Sequence, residues 1–171
     1  MRVAIYAGTF DPITRGHLSV LERVSGLFDR LVVLVAVNPA KSPLFSELER
    51  VELIAEATAA LPGVCVASTS EWVAAYARRV GAQWLIRGVR DTTDITSEHQ
   101  LACLNQQIAP ELTTLFVPAE AQLASVSSTR LKQLARAGEP LDAWCAPGVA
   151  RALRRKLRAG ARGDVEVGDD V

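Results

Sequence analysis

Cysteine is scarce in this chain: three among 171 residues. Cys65, Cys103 and Cys145 are odd in number and too widely spaced for a zinc pattern or a disulfide framework, so a reducing, cytoplasmic setting is expected. Net charge is absent as well, because nineteen basic side chains cancel nineteen acidic ones. Without a whole-molecule field the chain is not expected to gather nucleic acid or an anionic membrane, and any anion site must be local. No apolar run approaches the ~20 residues that span a bilayer, and residues 1–7 are too short and too weakly basic for a signal peptide. Internal repeats, low-complexity blocks and a linker are also missing, so one domain is expected over 1–158, with a Gly- and Asp-rich frayed tail over 159–171. No Asp/His/Glu cluster suggests a metal site built by the protein.

What is present is a regular alternation. Arg2 to Ala7 and Arg30 to Val37 are continuously apolar and β-branched, as strands buried on both faces are. Between them Leu18, Leu21, Val24 and Phe28 recur at helical spacing. "SELERVELIAEATAAL" opens with a capping box, Ser46 and Glu49, and ends at the Pro62-Gly63 turn. Strand Val64 to Ala67, helix Glu71 to Val80, strand Trp84 to Ile86, a helix from about Asp94 to Ile108 and strand Thr113 to Val117 follow. A helix after the serines at 127–128 stops at Gly138, and Pro147 begins a basic helix expected to be a solvated surface. The pattern predicts an α/β fold: a doubly wound, Rossmann-like, five-stranded parallel sheet with helices on both faces.

In such a sheet ligands sit beyond the carboxyl ends of the strands where strand order reverses. With order 3-2-1-4-5 that place lies between strands one and four, so "GTFDPITRGH" and "RGVRDTTD" would face one crevice. Gly8 and Gly16 would allow close backbone approach, and Thr9 offers donors near a helix N-terminus that favours anions. His17, in the first turn of that helix, could either cap the turn or point an N–H donor outward, since the positive end of the dipole disfavours the imidazolium. Lys41 after "NPA", and Arg87 and Arg90 flanking Gly88, are cations of the kind that hold phosphates.

Two segments carry a resemblance. "GTFDPITRGH", with Thr14, Arg15, Gly16 and His17, and "SVSSTRLKQ", with Ser127, Ser128, Thr129 and Lys132, resemble the two signatures of the nucleotidyltransferase superfamily. "NPAK", "LIRGVR" and Glu98, eight positions beyond Arg90, are similar to the phosphopantetheine adenylyltransferase family within it. The likeness runs from about residue 1 to 158. Ile95 and Ser97 stand where that family commonly carries aromatic residues, and "AEAQLASV" lacks its aromatic pair.

The resemblance implies transfer of AMP from ATP to 4'-phosphopantetheine, giving dephospho-coenzyme A and pyrophosphate. Because the nucleophile is already a phosphate anion, no catalytic base is required, and positioning with charge stabilisation can supply most of the acceleration. By resemblance His17 and Lys41 are catalytic, and Thr9, Lys41, Trp72, Val73 and Arg87 meet the acceptor. ATP would be met by Thr9, Phe10, His17, Gly88, Val89, Arg90 and Glu98, and by Leu123, Ala124, Ser125, Val126, Ser127, Ser128 and Thr129. Mg²⁺ held mainly by the ATP phosphates and a homohexamer of two trimers are implied too. Two alternatives stand beside this reading: adenylylation of nicotinamide or nicotinate mononucleotide, and a non-catalytic nucleotide sensor on the same fold.

Overall fold

The computed structural model describes residues 1–163. Its central sheet is parallel, with strand order β3-β2-β1-β4-β5, and is built from β1 (Val3–Gly8), β2 (Arg30–Ala36), β3 (Val64–Thr69), β4 (Trp84–Val89) and β5 (Thr113–Pro118). Among the described residues six α-helices connect or flank the strands: α1 (Arg15–Val24), α2 (Glu47–Thr58), α3 (Val73–Val80), α4 (Thr92–Ile108), α5 (Ser128–Arg136) and α6 (Pro147–Gly163).

The continuous apolar runs of β1 and β2 have the cause assigned to them, since alternate residues feed two separate cores. Ala4, Tyr6, Leu31, Val33 and Val35 pack on the face shared with α1, α2, α5 and α6. Val3, Ile5, Ala7, Val32 and Leu34 pack on the opposite face, where α3 contributes Ala74, Tyr76 and Ala77. Helix ends follow the sequence signals closely. Ser46 Oγ accepts the Glu49 N–H at 3.2 Å while the Ser46 N–H donates to Glu49 Oε2 at 2.7 Å, closing the expected capping box of α2. Gly81 ends α3 at φ 68°, the left-handed region that a Cβ disfavours.

Several boundaries shift by two residues, β3 running to Thr69, α3 starting at Val73 and α4 at Thr92, and four differences bear more on the fold. α1 stops at Val24, and a short 3₁₀ turn, Ser25–Leu27, carries the chain to Phe28. β4 continues past Ile86 to Val89 because Arg87, Gly88 and Val89 stay in register with Phe116, Val117 and Pro118 of β5. Arg87 therefore stands on a strand and not in a loop. α6 is more than a solvated surface: Val149, Ala152 and Leu153 are buried against the first core while Arg151, Arg154, Arg155 and Arg158 face out, the stripe pattern of an amphipathic helix. Finally, α6 runs on through residues 159–163, and the rest of the segment expected to fray, 164–171, lies outside the described residues.

Candidate active site

Two neighbouring cavities open at the carboxyl ends of the strands. The first, about 330 Å³, lies among β1, α1, β4, α4 and the segment leading into α5. The second, about 440 Å³, lies among β1, the turn after β2, the start of α3 and α4. They share Ala7, Gly8 and Arg87, so the junction falls between β1 and β4, where the order of the sheet reverses.

His17 lines the first cavity as the third residue of α1. The Thr14 N–H donates to His17 Nδ1 at 3.1 Å, and the His17 N–H donates to Thr14 Oγ1 at 3.4 Å. This reciprocal cap uses a histidine where glutamate is usual, so the capping role read from the sequence is real. It also fixes the tautomer: with Nδ1 accepting, the neutral ring carries its proton on Nε2 as a donor. Burial, then the cations Arg90 and Arg87, lower the His17 pKa from 6.5 to about 4. Phe10 packs edge-on to the imidazole at 5.1 Å between ring centroids and to Tyr6 at 5.4 Å.

Gly8 needs its missing Cβ for an internal reason. A Cβ there would sit 2.9 Å from Phe10 Cζ, so the glycine makes room for the ring that walls the histidine. Phe10 itself holds φ 48°, a left-handed conformation kept in place by the loop around it. Arg50 of α2 donates from Nη1 to the Thr9 carbonyl at 2.9 Å. Asp11 accepts the N–H groups of Leu44 and Phe45 at 3.0 and 2.9 Å and the Lys132 ammonium at 2.7 Å. Burial alone would push the Asp11 carboxyl up, but Lys132 and the two amides outweigh it and hold the group below the usual carboxylate range. Ser128 Oγ completes the clamp by donating to the Pro12 carbonyl at 2.8 Å. The two signature segments are thus locked to each other: Asp11 and Pro12 come from one, Ser128 and Lys132 from the other.

The arginines arrive paired. Arg87 Nε and Nη2 donate to the two oxygens of Glu98 at 2.5 and 2.6 Å, and Nη1 donates to the Ala7 carbonyl at 2.6 Å. Arg90 Nε and Nη2 donate to the two oxygens of Asp94 at 2.7 and 3.0 Å. The Arg90 guanidinium holds the Asp94 carboxyl below the usual range. Asp94 was not singled out in the sequence, although its place four residues after Arg90 at a helix start is a readable pairing.

Of the residues expected to meet ATP, Phe10, His17, Gly88, Arg90, Glu98, Leu123, Val126, Ser127, Ser128 and Thr129 line the first cavity. Of those expected to meet the acceptor, Thr9, Lys41, Trp72, Val73 and Arg87 line the second. Thr9 lines only the second. Val89 is buried, its carbonyl accepting the Ala119 N–H at 2.8 Å, and Ala124 and Ser125 line neither cavity. Ala124 directly follows a 3₁₀ turn, Ala121–Leu123, so the chain reaches the cavity through Leu123 and Val126 instead. Asn38, which lines the second cavity, entered the sequence reading as the first residue of "NPAK", whereas Leu101 and Asn105, which line it too, carried no signal of their own.

Among the described residues no three His, Cys, Asp or Glu side chains group to hold a metal ion. The carboxylates of the first cavity, Asp94 and Glu98, are both engaged by arginines. Among the described residues no helix is long and apolar enough to cross a membrane.

Residues 5–134 match the cytidylyltransferase-like family. The chain is 40% identical over 164 residues to the phosphopantetheine adenylyltransferase of Brucella anthropi, covering 93% of this chain and 100% of that protein. It is 39% identical over 158 residues to the phosphopantetheine adenylyltransferase of Caldanaerobacter subterraneus subsp. tengcongensis, covering 92% and 99%. Among solved structures, a putative nicotinate-nucleotide adenylyltransferase from Vibrio parahaemolyticus superposes with TM-score 0.66 at 18% identity, over 90% of this chain and 91% of that one. The Plasmodium falciparum nicotinic acid mononucleotide adenylyltransferase complexed with NaAD gives 0.64 at 14% identity, over 92% and 95%. At those identities the structures share the fold.

Proposed function

We propose how this chain, which belongs to the cytidylyltransferase-like family and within it to the phosphopantetheine adenylyltransferases, divides its work between the two cavities. The reaction moves the adenylyl group of ATP to 4'-phosphopantetheine, a step of coenzyme A biosynthesis. An oxygen of the acceptor phosphate forms a bond to the α-phosphorus, the bond from that phosphorus to the bridging oxygen breaks, and pyrophosphate leaves with the electron pair. No proton has to move. The observation that carries the division is the pair of cavities meeting at Arg87, with His17 on one side and Lys41 on the other.

In this reading ATP occupies the first cavity, its phosphates near the start of α5 at Ser127 to Thr129 and its charge met by Arg90. Phosphopantetheine occupies the second, its arm along Trp72 and Val73 and its phosphate between Arg87 and Lys41. His17 donates from Nε2–H to oxygens on the reacting phosphorus, and Lys41 meets charge that develops on the incoming and transferred phosphates. Mg²⁺ is proposed to enter on the ATP phosphates, where it would screen the triphosphate charge; no side chain here is assigned to it. A cytoplasmic setting and a homohexamer belong to the same proposal. Support for contacts between copies comes from exposed apolar side chains, Leu104 and Ile108 one turn apart on α4 and Leu115 and Phe116 on the edge strand β5.

Steady-state kinetics on two variants test the division. Arg87→Ala should raise the KM for phosphopantetheine about tenfold or more and that for ATP much less, and Arg90→Ala should do the reverse. Each lost charge-assisted contact costs roughly 1.5–3 kcal/mol, enough to resolve the two effects. Equal changes in both KM values for each variant would refute the division.

A further inference from the structure

Glu98 was expected to contact the nucleotide, and it does line the histidine cavity. Its carboxylate, however, holds bidentately the residue that the two cavities share. Both oxygens accept from one edge of the Arg87 guanidinium, at 2.5 and 2.6 Å, and Ala7 takes a further N–H from Nη1 at 2.6 Å. Both side chains are about one-fifth exposed, Arg87 at 20% and Glu98 at 19%, so the pair is well shielded from water. A guanidinium has five N–H bonds in a fixed plane. Three are accounted for, leaving one on Nη1 and one on Nη2 for a ligand. One turn earlier on α4, Asp94 grips Arg90 in the same two-oxygen manner. One helix therefore aligns two arginines from the end of β4 with its two carboxylates.

We propose that Glu98 is a positioning residue for the acceptor phosphate, acting through Arg87, and that α4 sorts the two arginines between the two substrates. A flexible arginine at the junction could swing into either cavity and meet phosphate oxygens of either substrate. Tied to Glu98 and Ala7, Arg87 holds a single plane, with its two remaining N–H bonds set for one phosphate. The proposal rests on the assignment of Arg87 to the acceptor made above. It adds that a residue lining the ATP cavity controls affinity for the other substrate.

The test is a kinetic cycle on the full-length enzyme with Glu98→Gln, Arg87→Ala and the double variant, each measured with ATP and with phosphopantetheine. Glu98→Gln keeps the side chain's shape but loses the charge and one acceptor. It should raise the phosphopantetheine KM about fivefold to tenfold and leave the ATP KM within twofold. Glu98→Asp, one methylene too short to span both nitrogens, should behave alike. On the Arg87→Ala background Glu98→Gln should change nothing further. A rise in the ATP KM with an unchanged phosphopantetheine KM would overturn the proposal and return Glu98 to a nucleotide contact. A full additional effect in the double variant would overturn it too, because Glu98 would then act without Arg87. Failure of the underlying assignment looks different: Arg87→Ala alone would move the ATP KM and spare the acceptor.

Discussion

His17→Ala should lower kcat by about 10²–10³, the usual cost of removing one preorganised donor, or roughly 2.7–4 kcal/mol. The loss should fall on kcat far more than on ATP affinity, because a bond that tightens only as charge develops contributes little to the bound ground state. The geometry sets the role. Nδ1 is occupied by the Thr14 N–H, and the ring is held neutral by burial and by Arg90 and Arg87, so Nε2–H is a donor. A neutral donor with a pKa of about 4 gives kcat no inflection near 6.5, and hydroxide should not rescue the alanine variant, as it would if the histidine were a base. Stability carries the same signature. The folded-state pKa is depressed, so the unfolded chain binds a proton that the folded one refuses, and the stability is complete above 6.5. It should decline by at most about 1.4 kcal/mol per pH unit as the pH falls from 6.5 to about 4. His17→Ala removes this dependence. It also loses the side-chain half of the cap, the acceptor of the Thr14 N–H, which should cost about 1 kcal/mol, while Thr14 Oγ1 still caps the backbone N–H of residue 17. Urea unfolding at pH 7 and pH 5 beside steady-state kinetics reads both effects. Turnover within threefold of wild type would make the histidine a cap alone.

Asp11→Ala should be the most destabilising single change at the site. It strands the Lys132 ammonium, 22% exposed, and removes the acceptor of the Leu44 and Phe45 amides. Breaking one partner of a buried pair costs about 3–5 kcal/mol, and partial exposure of Lys132 places this case near 3. In a domain of this size that is a fall in Tm of about 6–12 °C. Lys132→Met should cost less, since Asp11 keeps its two amides. Asp11 also has a depressed pKa, so its contribution is present above 3.8 and is lost as pH falls through the folded value, below the window in which His17 acts. Thermal unfolding of the two variants at pH 7 gives the comparison. A larger loss for Lys132→Met than for Asp11→Ala would mean that the lysine, and not the carboxylate, organises the loop.

These two residues also mark how far the sequence could be read. Alternation predicted a parallel sheet, because parallel strands need helical crossovers; the order 3-2-1-4-5 entered only as a condition, and the sheet has it, which brings the β1 and β4 ends to one crevice. His17 and Lys41 were legible for that reason: each lies in the segment that leaves the carboxyl end of a strand, His17 at the start of α1 after β1 and Lys41 in the turn after β2. Asp11 and Lys132 were legible only as members of their own segments, since they are 121 residues apart and nothing local reports their contact. The extension of β4 to Val89 was hidden in the same way. Glycine is disfavoured inside a strand, yet the ladder to β5 carries β4 through Gly88. Glu98 shows the remaining gap, for spacing placed it at the crevice but could not say which partner its carboxylate would take. Gly8 was read as room for a ligand, and it is first of all room for Phe10.

The central claim is that the two cavities hold ATP and phosphopantetheine side by side and join them through the α-phosphorus. Incubating the purified enzyme with ATP and Mg²⁺, and with phosphopantetheine, nicotinamide mononucleotide or nicotinate mononucleotide in turn, tests it by chromatography of the products. Dephospho-coenzyme A and pyrophosphate should form in equal amounts with phosphopantetheine, and neither mononucleotide should be turned over. Dinucleotide formation without any dephospho-coenzyme A, or ATP binding with no product from any acceptor, would contradict the account.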